Sequence, residues 1–276
     1  MLTVPELLAK RAQIYRKHPG RTISDYSQAV AFLAETGLLL PWDRVGVELP
    51  SLRGAMKGPF QREPGPAWTY KDRMINEKHA VYGHLVPPGV ILVHPDWFPQ
   101  LYAASGRAGE EEEYLDAYRL GALSAAARRI LDLLRWQPPL GTAALRAAVG
   151  MDGQDLRGAF AKALREVQEQ LYALPVGVSP ETDRNYTYYW GLVDQWHSGA
   201  VEKAAGLTTL EASRQLLVLY VRSVVFLEQE RVARFFGWPK ARFAAALKLA
   251  QADIAVWDRP DGKKGSWLVD RAALEP

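Results

Sequence analysis

Trp42, Asp43, Trp68, Tyr70, Lys71, Asp72, Arg73 and Glu77 gather carboxylates, cations and flat aromatic rings along a short reach of chain. A carboxylate can activate water or stabilise a developing cation. An indole can stack on a flat heterocycle, and a lysine or arginine can hold a phosphate. Asp43 and Asp72 are the candidate catalytic carboxylates. Trp42, Trp68, Lys71 and Arg73 are the candidate pocket around them. Trp68, Asp72 and Ile75 share a helix face by their i, i+4 and i+7 spacing. The plainer alternative is an Asp72–Arg73 surface network with the tryptophans in the core.

Other chemistries find less to work with. The chain has no cysteine, which excludes disulfides, a thiol nucleophile and thiolate metal sites. His79 and His84 are five apart, not at the i, i+4 spacing of a helical zinc pair, and no His-Glu-x-x-His string exists. Gly-x-Ser-x-Gly and a phosphate loop are also absent. Glu110 to Glu113 suit the positive end of a helix dipole better than a metal cage. No metal and no cofactor are expected.

These residues need elements to position them. A leading helix is predicted over Pro5–Lys17, then a helix over Tyr26–Glu35, capped by Ser24 or Ser27 and ended by Gly37. Leu38–Pro66 holds five prolines and four glycines and cannot be one regular element. Trp68–Leu85 reads as a helix, Gly89–Val93 as a strand, and Pro95–Trp97 as a short helix. A long helix is predicted from Glu110 towards Trp136.

Two later segments repeat one order. In 124–196, helices around Ala127–Leu134, Ala143–Val149 and Asp155–Leu171 precede strands Tyr172–Val178 and Tyr186–Val193. In 210–274, helices Leu210–Phe226, Glu228–Phe236 and Pro239–Ala252 precede a hairpin of Ile254–Trp257 and Ser266–Val269. Three helices and a hairpin are winged-helix order. The expected fold is therefore mainly α with small β-hairpins, an α+β chain of tandem winged helices. The expected domains are 1–109, carrying the Pro/Gly-rich insertion, then 110–200 and 201–276.

Charge points to a partner. The chain has 276 residues, a net charge of +3 and a pI near 9.0. Residues 1–90 carry 12 Lys/Arg against 8 Asp/Glu, residues 91–200 carry 10 against 14, and residues 201–276 carry 12 against 9. From Arg231 to Lys248 the charged residues are Arg231, Arg234, Lys240, Arg242 and Lys248, with no acid among them. Lys263 and Lys264 sit at the predicted hairpin tip. A basic helix with a basic hairpin is what phosphate and groove contacts require, and a solvated basic face is the alternative. Arg157, Lys162 and Arg165 form a weaker set, offset by Asp155, Glu166 and Glu169. Double-stranded DNA is the expected partner.

Several strings resemble the AlkZ/YcaQ family of winged-helix DNA glycosylases, and more closely its AlkZ-related branch. They are Trp68-Thr69-Tyr70-Lys71-Asp72-Arg73, Tyr82-Gly83, the run from Gly89 to Pro99, and the run from Leu164 to Gly177. The resemblance covers most of residues 22–274. It implies tandem winged helices that cradle duplex DNA, and a Gln-x-Gln or Gln-x-Asp catalytic motif after a Leu-Gly-Leu-Leu-like string. Here that segment reads Thr36-Gly37-Leu38-Leu39-Leu40-Pro41-Trp42-Asp43. Leu40 or Pro41 replaces the first glutamine, and the third position falls on Trp42 or Asp43. Gln168-Glu169-Gln170 spells the motif in another place and reads as helix surface.

The leading expectation is a DNA-binding protein related to these glycosylases and acting in repair of alkylated or crosslinked DNA. The alternatives are a transcription regulator, a glycosylase rebuilt around Asp43 or Asp72, and a protein-interaction module. No apolar run approaches the about 20 residues that span a bilayer, and the N-terminus lacks a signal-peptide layout. A cytoplasmic protein is expected, nucleoid-associated if it binds DNA.

Overall fold

A computed structural model describes residues 3–18, 20–56, 65–107, 113–180, 186–259 and 264–275. The leading helix is α1 (Val4–Ile14). The first group then holds α2 (Tyr26–Thr36), β1 (Leu38–Leu39), a 3-10 turn at Arg53–Ala55, α3 (Gly65–Asn76), β2 (Val81–Val86) and β3 (Gly89–Val93). After a 3-10 turn at Pro95–Trp97 comes α4 (Phe98–Ser105). The middle group holds α5 (Glu113–Arg119), α6 (Ala125–Trp136), β4 (Leu140–Gly141), α7 (Thr142–Ala148), α8 (Arg157–Glu169), β5 (Ala173–Val178) and β6 (Tyr188–Leu192). Two short helices follow, α9 (Val193–Trp196) and α10 (Ser198–Ala204). The last group holds α11 (Thr209–Val224), β7 (Phe226–Glu228), α12 (Gln229–Phe236), α13 (Lys240–Leu249), β8 (Ile254–Asp258) and β9 (Ser266–Asp270).

Each group builds one antiparallel three-stranded sheet, with orders β1-β3-β2, β4-β6-β5 and β7-β9-β8. In each, a strand of two or three residues pairs with the second hairpin strand, as Leu39 does with Leu92 and Leu227 with Leu268. The fold is mainly helical α+β. The three-helix-and-hairpin order expected in the last two groups is present, while the first group has two α-helices and a 3-10 turn before its hairpin. No helix among the described residues is long and apolar enough to cross a membrane.

Several boundaries differ from expectation, each for a local reason. The predicted helix 68–85 ends at Asn76, because Lys78 turns left-handed (φ +59°) and Val81–Val86 then pairs with β3. β2 is buried at five of six positions, so it shows no alternation to mark it as a strand. The predicted helix 110–136 is two helices, split by Gly121 (φ +76°) and restarted by Ser124, whose side chain accepts from the Ala127 amide. Glu110 to Glu112 lie outside the described residues. The α2 cap is Asp25, which accepts from the Gln28 amide, rather than Ser24 or Ser27. Gly37 takes the expected left-handed position (φ +72°).

The largest core joins the first sheet, α4 and α11 to α12 and α13 through Leu38, Val93, Phe98, Leu217, Phe235 and Phe243. A second fills the middle group around Ile130, Phe160 and Trp190. A third ties α2 and α3 to the first sheet and reaches Val178 on β5. The smallest packs Leu7 of α1 against Val225, Phe226, Ala255 and Val269 of the last group.

Candidate functional site

Lys71 is the unusual residue of α3, because its side chain is 0% exposed. An ammonium ion leaves water only when its charge and hydrogen bonds are met elsewhere. Its Nζ forms an ion pair with the adjacent Asp72. It donates to the Tyr188 hydroxyl at 2.7 Å and approaches the Tyr186 hydroxyl at 3.4 Å. It also lies over the rings of Trp68 (4.9 Å), Tyr188 (4.9 Å) and Tyr82 (5.1 Å). The cage draws on three elements: α3, β2, and β6 with the residues just before it.

Asp72 is 7% exposed, and its carboxylate accepts the Tyr186 hydroxyl at 2.8 and 3.0 Å. Burial, first among the causes, pushes the phenols of Tyr82, Tyr186 and Tyr188 well above the usual tyrosine range. They stay protonated at neutral pH and act as donors. Asp72 borders a surface depression of about 270 Å3 shared with Thr69, Arg73, Asn76, Glu77 and Ser179. Across the same seam Asn76 donates to the Val178 carbonyl at 3.1 Å and accepts from the Val178 amide at 2.7 Å, joining α3 to β5.

The rings continue outwards. Trp68 stacks on Trp42 at 5.4 Å and 6°, and its other neighbour is Tyr186 at 5.5 Å. Asp43 is exposed and accepts from the Ser51 hydroxyl at 2.9 Å, which in turn accepts from the Gly54 amide at 2.9 Å. A Cβ on Gly54 would lie 2.5 Å from Ser51 Oγ and 2.8 Å from Asp43 Oδ1, so a side chain there would displace this hydrogen-bonded pair.

The two carboxylates thus differ in chemistry. Asp72 is occupied by Lys71 and Tyr186. Asp43 is exposed, and among the described residues only its Oδ1 accepts a side-chain hydrogen bond. Leu40, one of the two residues standing at the first motif position, is core, with its amide and carbonyl bonded to Pro50 and Leu52.

The structure brings Trp42, Trp68, Lys71 and Asp72 together, and Asp72 and Ile75 are buried while Trp68, on the same face, is half-buried. Lys71 faces the cage, so burial removes it from phosphate contact. Arg73 faces solvent, pairs with Glu77 at 2.7 Å and covers Tyr26 at 3.9 Å. Sequence reasoning missed Tyr82, Tyr186 and Tyr188. The Tyr-x-Tyr spacing of 186 and 188 was the available signal, since alternate residues of an extended chain share a face. Gln168 was also misread as surface: it is 5% exposed, accepts from the His84 amide at 3.2 Å and donates to the Leu164 carbonyl at 2.9 Å.

The candidate DNA-contact residues divide. Arg234, Lys240, Lys248 and Lys264 are exposed, as are Arg157 and Lys162. Arg165 is exposed and pairs with Glu169 at 2.7 Å. Arg231 is tied to Glu48 (3.0 Å) and Glu228 (3.2 Å). Arg242 turns inwards, donating to Ser213 Oγ at 2.8 Å and to the Ala104 carbonyl. Lys263 lies outside the described residues. Among the described residues no group of three or more His, Asp or Glu could hold a metal ion.

Three helix-and-small-sheet groups, with a caged lysine–aspartate pair between the first two, define the class of protein. Residues 23–237 match the protein-family model described as AlkZ related, and the chain belongs to that family. Among solved structures it is similar to the Streptomyces sahachiroi DNA glycosylase AlkZ, with a TM-score of 0.62 and 12% sequence identity over 99% of this chain and 71% of that one. At that identity the likeness is one of fold. No curated protein matches the chain.

Proposed function

We propose that the chain is a duplex-DNA-binding protein of the repair type, built from winged helices in three domains, 1–109, 110–200 and 201–276. One observation carries the reading. The third helix of each of the last two groups presents exposed small residues interleaved with cations, with the exposed Leu249 closing α13. On α13 these are Lys240, Ala241, Ala244 and Lys248; on the first turns of α8 they are Arg157, Gly158, Ala161 and Lys162. Small side chains let a helix approach base edges, and the cations meet phosphates. Lys264 extends the basic surface onto the last hairpin. Kinship with the AlkZ-related family and a fold shared with a DNA glycosylase support the repair assignment over a regulatory one. Such a protein works on the chromosome, in the cytoplasm and associated with the nucleoid.

The test is duplex binding across a salt series, with the parent beside a Lys240/Lys248/Lys264→Ala variant. A steep parental slope should flatten by about 0.9 for each phosphate that the variant no longer neutralises. Damaged or mismatched duplex should bind more tightly than matched duplex, because distortion lowers the cost of extruding a base. Preference for one matched sequence would make the chain a regulator. No binding at low salt would overturn the proposal in favour of a protein partner.

A second reading rests on Asp43, an exposed carboxylate next in the chain to Trp42 of the Trp42–Trp68 stack. If the chain excises bases, Asp43 activates the water and the tryptophans hold the base. Asp43→Asn should then abolish abasic-site formation while Asp72→Asn alters stability first. Equal cleavage by parent and Asp43→Asn would remove Asp43 from the chemistry.

A further inference from the structure

A groove of about 630 Å3 opens where the β2–β3 turn, the end of α4, the end of α8 and the α12–α13 turn meet. It shares no lining residue with the depression beside Asp72. Its size falls in the ~300–1,000 Å3 span of small-ligand sites. Five charged side chains line it: Arg107, Arg165, Arg242, Glu113 and Glu169. Arg165 pairs with Glu169 at 2.7 Å and Arg107 with Glu113 at 3.3 Å.

Arg242 is the charge left over. Among the described residues no carboxylate pairs with it. It lies 4.7 Å over the Trp238 ring, and burial holds its pKa below the usual arginine value. Its Nε and Nη2 are spent on the neutral acceptors Ser213 and Ala104, which leaves Nη1 without an acceptor among the described residues. A partly desolvated cation without a counter-charge favours an incoming anion.

One further observation points the same way. No side chain caps the start of α13 at Pro239, so the first amides of that helix lack intrahelical partners and carry the positive end of its dipole. Pro239 and Arg242 both line the groove. Leu85, Pro87 and Leu101 give the wall an apolar stretch.

We propose that this groove binds a nucleotide-sized phosphate ester. The phosphate sits against Arg242 and the first turn of α13, and the organic body lies along Pro87 and Leu101. The phosphate can come from a free nucleoside monophosphate or from a nucleotide of a DNA strand. Only the second source rests on the DNA-binding reading.

The experiment is calorimetric titration of the full chain with inorganic phosphate, with thymidine 5′-monophosphate, and with a short oligonucleotide with and without a 5′-phosphate. The parent is compared with Arg242→Met and Pro239→Asp. Arg242 also ties α13 to α4 and α11, so its loss can unfold the chain. Pro239→Asp keeps the test sound, because aspartate is a preferred N-cap that occupies the free amides and places a negative charge in the groove. The parent should bind the mononucleotide at least tenfold more tightly than inorganic phosphate, and Pro239→Asp should weaken it at least tenfold. A 5′-phosphorylated oligonucleotide that binds more tightly than the mononucleotide assigns the phosphate to a DNA strand, and the reverse order assigns it to a free nucleotide. No mononucleotide binding at millimolar concentration, or binding unchanged in both variants, overturns the proposal. Duplex binding measured alongside separates the two readings: duplex without mononucleotide binding sinks the groove alone, and the converse sinks the DNA assignment alone.

Discussion

Lys71 and Asp72 show how one buried charge organises its surroundings. Each is tolerable only beside the other, because water reaches neither side chain well. Removing one partner should cost ~3–5 kcal/mol, since it strands a buried charge. Urea unfolding should place Lys71→Met far below the parent, and the double variant Lys71→Met/Asp72→Asn should recover part of the loss. A double variant as unstable as the sum of both singles would show that the pair is not coupled. His197 gives a pH test. Burial lowers its pKa from 6.5 to about 4, so the folded state holds fewer protons than the unfolded chain between those values. Stability should fall as pH drops through that window, and the urea midpoint of His197→Phe should fall less. The ring lies 5.2 Å from Phe98, so phenylalanine keeps the packing.

The turns that join elements carry much of the specificity. Gly37 passes the chain from α2 into β1 at φ +72°, and a Cβ there would meet Leu219 at 2.8 Å and Trp97 at 2.9 Å. Gly37→Ala therefore adds a left-handed alanine to a steric clash. It should cost more than the ~1 kcal/mol of the backbone effect alone, read as a lower thermal midpoint. The glycine was legible as a helix stop, because its place after an apolar-periodic segment is a local signal. Its contact with α11 was not, since Leu219 lies far along the chain. The same division explains β2. Its residues spell an apolar run that fits a helix end or a buried strand, and only pairing with β3 separates the two.

At the scale of the whole molecule, the helix that leads the chain closes on its end. Lys10 of α1 donates to the carbonyls of Ala273 and Glu275 at 2.8 Å each, and Arg11 donates to Val224 at 2.7 Å while lying 4.0 Å over Phe226. Leu7 fills the small core between them and is fully buried. Leu7→Ala should cost about 2–5 kcal/mol and loosen the last group first, seen as faster hydrogen exchange in β7 and β9. Uniform exchange across the chain would show that α1 supports the whole fold equally. The basic faces of α8 and α13 belong to different groups, so their combined effect on DNA is also a whole-molecule property. An Arg157/Lys162→Ala variant should lower duplex affinity roughly independently of Lys240/Lys248→Ala if each helix meets its own phosphates.

Short-range signals decided much of this protein from sequence. The three helices and hairpin of the last two groups follow from periodicity, glycine stops and turn residues, which act within a few positions. The shared face of Trp68, Asp72 and Ile75 follows from helical spacing. Tertiary structure alone decided which of those residues meet. Lys71 reads as an exposed phosphate ligand until Tyr188, more than a hundred positions on, covers it. Arg242 reads as one more basic residue of a DNA-facing helix until Ala104 and Ser213 turn it towards the groove. Local pattern states which groups a segment can offer. Burial and pairing depend on distant segments, and they set what each group can do.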